Sequence, residues 1–372
     1  MGLRADAIKM LDAALGRALC RLLPAAPRGE GPPAEPPGRV LVIRPGGIGD
    51  AVLFVPMLRH LRETWPAARL DLLCERRNRG VVEGIGLVDR IFCYDRPRDL
   101  LAVLRGGYDL VIDTEQMHAL SALVARATGA PRRVGFGTNS RRRMLTDPVP
   151  YDVTLYEARS FLELARVATG REPSWDPDAP FYPVAPADAA WVRERLGDLP
   201  RPRVAIHPGA SIPQRRWPPS RYGRVARELA EEGVAIVVLG GPTDGRAARR
   251  IARDLAGYPH VNLAGASTLG QAAAVVAEVD VYVSADTGVL HLAYGVGTRT
   301  VHLFGPGVLS KWGPPGRRFR VVRAKDVTCS PCTRYGYTPP CAQGLACMDR
   351  ITPEMVLAAV REQLAAAREE NR

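Results

Sequence analysis

Short apolar runs alternate with helix-patterned segments along this chain, in two separate series. In the first, strand-like "VLVIR" (40–44), "RLDLLCE" (69–75), "RIFCYD" (90–95), "YDLVIDT" (108–114) and "RRVGF" (132–136) are interleaved with helical spacing over 50–65, after 114 and over 154–170. A stretch dense in Pro and Asp, 171–188, interrupts the pattern. It restarts with "RVAIHPGA" (203–210), "VAIVVLG" (234–240), "VNLAG" (261–265), "DVYVSAD" (280–286) and "TRTVHLFG" (298–305), with helices expected over 220–232, 244–256, 268–278 and 288–295. Continuously apolar strands alternating with helices call for parallel sheets covered on both faces. Two such series in 372 residues predict an α/β chain of two doubly wound domains. The expected divisions are an N-terminal amphipathic helix and Pro/Gly-rich linker (1–38), a first domain (39–185), a second domain (186–350) with a Cys-rich loop at 329–347, and a C-terminal helix (351–372). In such sheets ligands bind beyond the carboxyl ends of strands, so chemistry belongs in the turns that follow them.

The turn after 40–44 reads Pro45-Gly46-Gly47-Ile48-Gly49-Asp50 and opens a helix. No Gly-Lys-Ser/Thr closes it as a phosphate loop, and Val52 stands where a dinucleotide fingerprint needs its third glycine. Gly46 and Gly47 admit a tight turn and a close ligand. Asp50 then has two readings, a first-turn acid stabilised by the helix dipole or a base for a bound hydroxyl. "HPGASIPQRRWP" (207–218) sets His207, Gly209, Ala210 and Ser211 beside Arg215 and Arg216, which suits a phosphate or an ordinary loop anchored by Trp217. In "LGGPTDGRAARRIA" (239–252) Thr243 is a fair N-cap, and Asp244 either stabilises the helix start or contacts a sugar hydroxyl. Asp286-Thr287-Gly288 ends a buried strand and begins a helix, with His291 one turn in. Free amides at such a terminus bind phosphates.

The net charge of +12 favours anionic partners, and it is equally the mark of solvated Arg-rich faces. Ile8, Leu11, Leu15, Leu19 and Leu22 share one helical stripe broken by charges. That excludes a signal peptide and leaves open a helix docked on the protein, a frayed tail, or a peripheral membrane contact through residues 3–23. Cys329, Cys332, Cys341 and Cys347 permit a four-thiolate structural zinc site, reduced thiols in a packed loop, or one disulfide. Cysteine usage otherwise indicates a reducing, cytoplasmic setting.

Taken together and in this order, "RPGGIGDAVLFVPML", "HPGASIPQRRWP" and "SADTGVLHLA" followed by "GTRTVHLFGP" resemble glycosyltransferase family 9, the ADP-heptose:lipopolysaccharide heptosyltransferases, from about Val40 to Val360. The resemblance implies a GT-B fold, two Rossmann-like domains facing across a cleft, with acceptor on the first and nucleotide sugar on the second. It implies an inverting transfer with Asp50 as catalytic base, and Asp286, Thr287, Gly288 and His291 as the donor-binding turn. Arg215 takes the place of a basic residue that is often Lys, and Asp244 that of a Glu. No Asp-x-Asp appears beside the donor motifs, so transfer without a metal or other catalytic cofactor is expected. The implied partners are ADP-heptose or another nucleotide sugar and an anionic lipid-linked saccharide, which "SRRRM" (140–144) with Arg132 and Arg133 would meet. No nucleic acid is implied. The implied location is the cytoplasm, with a peripheral position on the inner membrane left open. The alternative is a GT-B-like nucleotide-sugar epimerase or a non-transferring nucleotide-sugar-binding protein.

Overall fold

Two six-stranded, wholly parallel sheets form the framework of the chain in a computed structural model that describes residues 12–29, 31–32, 34–334 and 337–370. The first unit runs through Trp175 and the second from Asp176.

In the first unit β1 (Arg39–Arg44), β2 (Arg69–Cys74), β3 (Arg90–Cys93), β4 (Leu110–Asp113), β5 (Arg132–Phe136) and β6 (Asp147–Val149) lie in the order β3-β2-β1-β4-β5-β6. Its helices are α1 (Arg17–Leu22), α2 (Ile48–Leu53), α3 (Val55–Thr64), α4 (Arg76–Val82), α5 (Pro97–Leu104), α6 (Leu120–Ala127) and α7 (Glu157–Thr169). Val40, Leu41, Val42 and Ile43 are buried, as expected of a central strand covered on both faces. The single helix expected over 50–65 is two helices: Phe54 lies between them and Pro56, lacking an amide hydrogen, sits in the first turn of the second.

In the second unit β7 (Arg203–His207), β8 (Ala235–Val238), β9 (His260–Asn262), β10 (Val281–Ala285), β11 (Arg299–Leu303) and β12 (Phe319–Val322) lie in the order β12-β11-β10-β7-β8-β9. Its helices are α8 (Pro186–Leu196), α9 (Pro219–Glu231), α10 (Gly245–Asp254), α11 (Leu269–Ala277), α12 (Gly288–Gly295), α13 (Leu309–Trp312), α14 (Ala346–Asp349) and α15 (Pro353–Glu370). α15 packs on β11 and β12, and the buried Trp217 donates its indole N–H to the Ile351 carbonyl at 2.9 Å. The C-terminal helix is therefore part of this unit's core.

Each sheet thus has its first and fourth strands side by side at its centre. That is the switch point at which doubly wound sheets open a crevice. In the first unit the crevice lies between the turns after β1 and β4, and in the second between those after β7 and β10.

Three further sequence expectations change. The sequence boundary at 185 falls later than the unit boundary, because 177–182 is held by the second unit: Tyr294 Oη donates to Pro177 O at 2.7 Å, and the Phe181 and Tyr182 amides donate to Gly295 O. The start of the expected linker is strapped down, with Ala26 N donating to Arg143 O at 2.7 Å and Gly29 N to Thr146 O at 3.1 Å. The basic loop keeps few free cations. Arg141 is fully buried against Asp113, Arg133 is spent on the Met144 and Ala130 carbonyls, and Arg132 donates to Ala168 O, Val167 O and Asp147. These three fix the end of the sheet and cannot meet a ligand.

Ile8 and Leu11 of the N-terminal stripe lie outside the described residues. From Asp12 onward the segment is docked on the first unit. The buried Asp12 carboxylate accepts the amides of Ala119 at 3.0 Å and Leu120 at 2.7 Å, at the start of α6, and pairs with His118 at 2.8 Å. Burial pushes its pKa up; the His118 and amide bonds outweigh that and hold it below the usual range. Among the described residues no helix is long and apolar enough to cross a membrane.

Candidate active site

The first crevice is built around a buried cation. Arg44, the last residue of β1, is 1 % exposed. Its Nε donates to Pro45 O at 2.6 Å and one terminal nitrogen to Thr114 O at 3.0 Å, so the ends of β1 and β4 are tied together. The guanidinium lies over the Phe161 ring, 5.3 Å from its centroid. Its other terminal nitrogen is 3.8 Å from Asp50 Oδ2. Asp50 sits in the first turn of α2 behind the N-cap Gly47, and its side chain is 29 % exposed, so the carboxylate reaches solvent while facing a fixed positive charge.

The turn that aims it is pinned from β2. Glu75 accepts the Gly46 amide at 3.0 Å, and Asn78 donates to Arg44 O and Gly46 O. Gly46 has φ +103°, and a Cβ there would lie 2.9 Å from an Arg44 terminal nitrogen, so no other residue fits without displacing the cation. Across the crevice, after β4, Glu115 is buried and accepts the amides of Gln116, Met117 and His118. Burial raises its pKa; the Arg44 charge and the amide bonds more than reverse this and keep it ionised. Arg44 and Glu115 were not among the residues expected from sequence. The signal was positional: both border the turns after the first and fourth strands.

In the second unit, β7 and β10 bring the remaining candidates together in two groups. His207 ends β7; its Nδ1 is 3.1 Å from Tyr282 Oη and its Nε2 is 3.4 Å from Asp244 Oδ2. Asp244 also accepts the Gly241 amide at 2.8 Å, and its pKa is lowered, first by the His207 bond and against the effect of burial. It therefore holds the turn after β8, and α10 begins behind it at Gly245; Thr243 is not the cap. Asp244 packs so closely on Gly209 that a Cβ there would lie 2.2 Å from its Oδ2.

The second group surrounds Asp286, which is buried and paired with Arg215 at 2.7 Å. Thr287 caps α12 by accepting the Leu290 amide at 3.3 Å. The amides of Gly288 and Val289 precede the first intrahelical bond and remain as donors at the positive end of the helix. His291 is buried one turn in. His302, from β11, is fully buried, feels Asp286, His291 and Arg215, and has no hydrogen bond from either ring nitrogen among the described residues. Ser211 is exposed on the loop after β7, and Arg216 braces that loop by donating to Ala210 O at 2.9 Å.

Of the three readings of the cysteines, the structure shows reduced thiols. All four are free thiols, Cys329 and Cys341 are exposed while Cys347 is buried, and the described residues hold no group of three or more His, Cys, Asp or Glu arranged for a metal ion. Burial first, and then the neighbouring thiols, push Cys347 up to about 11, so it is a protonated thiol at neutral pH.

What this arrangement resembles is now specific. Residues 98–342, well over half of the chain, match the model of glycosyltransferase family 9 (heptosyltransferase). Lipooligosaccharide heptosyltransferase 2 of Haemophilus ducreyi is 27% identical over 315 residues, covering 77% of this chain and 89% of that one. Lipopolysaccharide heptosyltransferase 2 of Escherichia coli is 25% identical over 305 residues, covering 77% and 88%. The solved structure of the E. coli ADP-heptose lipopolysaccharide heptosyltransferase II superposes with a TM-score of 0.72 at 25% identity, over 89% of this chain and 99% of that one. These relatives are transferases, and they do not favour the epimerase or non-transferring alternative. Two Rossmann-like parallel-sheet domains, with these turns at their switch points, place the chain among sugar-transferring enzymes: it belongs to glycosyltransferase family 9.

Proposed function

We propose that this glycosyltransferase moves a heptose from ADP-heptose to a hydroxyl of an anionic, lipid-linked inner-core saccharide, inverting the anomeric centre in one displacement. The observation that carries the reading is Asp50, a solvent-reaching carboxylate held beside the buried Arg44 at a switch-point crevice. Asp50 takes the proton of the acceptor hydroxyl as the C–O bond forms. Arg44, 3.8 Å away, keeps that carboxylate aimed into the crevice.

The donor reading rests on the second unit. Arg215 and the leading amides of α12, Gly288 and Val289, oppose the charge that grows on the departing diphosphate, a task given elsewhere to a metal ion. Asp286 orients Arg215 through their 2.7 Å pair. His207, Ser211, Asp244, Thr287 and His291 border the same turns and would contact the nucleotide sugar. The relative solved as an ADP-heptose heptosyltransferase supports the choice of base and sugar. On this reading the enzyme would meet its lipid-linked acceptor at the cytoplasmic side of the inner membrane.

The test is a transfer assay with ADP-heptose and a Kdo-bearing lipid acceptor, read as ADP release and as the mass gain of the acceptor. Turnover with ADP-heptose and none with UDP- or GDP-sugars is expected. Stabilisation by UDP-N-acetylglucosamine with no response to ADP would reverse the donor assignment.

A further inference from the structure

Seven large hydrophobic side chains are markedly exposed among the described residues, and three of them, Leu15, Leu19 and Leu22, fall on the short N-terminal segment at 54%, 45% and 80% exposure. Leu19 and Leu22, three residues apart, share one face of α1, and Leu15 precedes them in the π-helical turn Asp12–Gly16. The segment cannot turn that face inward, because its opposite side is already docked. Asp12 caps α6, Cys20 is buried with Ala119, Ala122 and Met144, and Gly16 lies so close that a Cβ would sit 3.2 Å from that of Ala119. Arg143 closes the other end of α1, donating to the carbonyls of Cys20 at 3.1 Å and Leu23 at 3.2 Å.

Beside this segment opens a pocket of about 500 Å³ whose lining includes Arg21, Arg28, Arg142, Arg143, Asn139 and Ser140, and no carboxylate. Arg21, Arg28 and Arg142 have no acidic partner among the described residues. Three guanidinium groups with no acidic partner line one concavity beside Arg143, whose bonds go to the Cys20 and Leu23 carbonyls, and such a cluster suits a phosphate group. An apolar row next to an anion pocket is what a protein offers to a bilayer surface: leucines enter the acyl boundary while arginines take the headgroups.

We propose that residues 15–28, with Arg142 and Arg143, form a docking surface for an anionic phospholipid bilayer, seating a lipid phosphate in the arginine pocket and inserting Leu15, Leu19 and Leu22. The commitment to a bilayer follows from the two features together. A soluble phosphate or a nucleic acid would account for the arginines and leave three leucines in water. A second copy of the chain would account for the leucines and oppose one basic pocket to another. The inference does not depend on which sugar is transferred or on the role of Asp50, so its test needs no activity.

The full chain is mixed with vesicles of phosphatidylcholine alone or of phosphatidylcholine with phosphatidylglycerol, and flotation separates bound from free protein. Binding only to the anionic vesicles is expected. It falls at least tenfold in an Arg21→Glu/Arg28→Glu/Arg142→Glu variant and also in a Leu15→Ser/Leu19→Ser/Leu22→Ser variant, with both variants melting as the parent does. Equal binding to both vesicle types, no flotation at all, or unchanged flotation of the leucine variant overturns the proposal. So does a dimer in the absence of vesicles that the leucine variant converts to a monomer, because that result assigns the face to a second copy.

Discussion

Arg44 and Asp50 stand 3.8 Å apart, a buried guanidinium opposite a carboxylate that water can reach. One residue ends the central strand and the other begins the helix, so the turn between them determines the distance. The same guanidinium is bound to Thr114 and held over Phe161, which makes it the fixed member of the pair.

Removing the acid and keeping its shape separates chemistry from binding. Asp50→Asn is expected to lower turnover by about 10²–10⁴, the range for loss of a general base. Affinity for ADP, measured by calorimetry, should stay within about twofold of the parent, since a factor of ten corresponds to 1.4 kcal/mol. Unchanged ADP release by the variant would end the assignment of the base.

Removing the cation acts on the fold. Arg44→Met leaves Glu115 buried without its opposing charge and strips Thr114 O of its donor. Breaking one member of a buried ionic group costs about 3–5 kcal/mol. A urea titration should show the midpoint moving down with little change in slope, and a midpoint equal to the parent's would refute the structural role.

Gly209→Ala tests the loop after β7. Its new methyl would collide with Asp244 Oδ2 and force that side chain away from His207 and the Gly241 amide. The expectation is weaker donor binding, by roughly tenfold (about 1.4 kcal/mol), with a normal first unit. Thermal stabilisation by ADP is the readout, and an undiminished shift would show that the loop can give way.

His302 carries a pH signature. Burial pushes its pKa down to about 3, so the folded protein holds it neutral, whereas the unfolded chain protonates it near 6.5. A depressed histidine makes the unfolded state bind more protons below pH 6.5, so stability falls as pH drops from there toward the folded value. His302→Phe removes a buried ring whose two nitrogens make no hydrogen bond, and should flatten the melting temperature between pH 6.5 and pH 4. A curve parallel to the parent's would mean that His302 is not buried in solution.

Much of the framework was legible because buried parallel strands are written as continuous apolar runs. "RRVGF" (132–136) coincides with β5, and "GVLHLAYG" (288–295) with α12. Less was legible where local composition hides the pattern. "RRNRGVV" forms α4 although its arginines mask any apolar stripe, and "FRVV" is too short for a period to show as β12. The site followed the same division. Asp50, Asp286 and Thr287 stand beside glycines after strands and announce themselves. Arg44 and Glu115 matter because two strands distant in sequence lie side by side, and strand order is not written locally. The arginines at 132, 133 and 141 were misjudged for a related reason, since a run of cations looks solvated until tertiary carbonyls and Asp113 are seen to claim it.

The carboxylate of Asp12 gives the leading segment a structural duty. Trimming the chain back to Arg39 would not shorten a loose end. It would uncap two helix amides, deprive His118 of its acid, and turn Ala119, Ala122 and Met144 out to water. A shortened protein of that kind would carry a fresh sticky face, and its poor behaviour would reflect the missing lid rather than any fault in the catalytic turns.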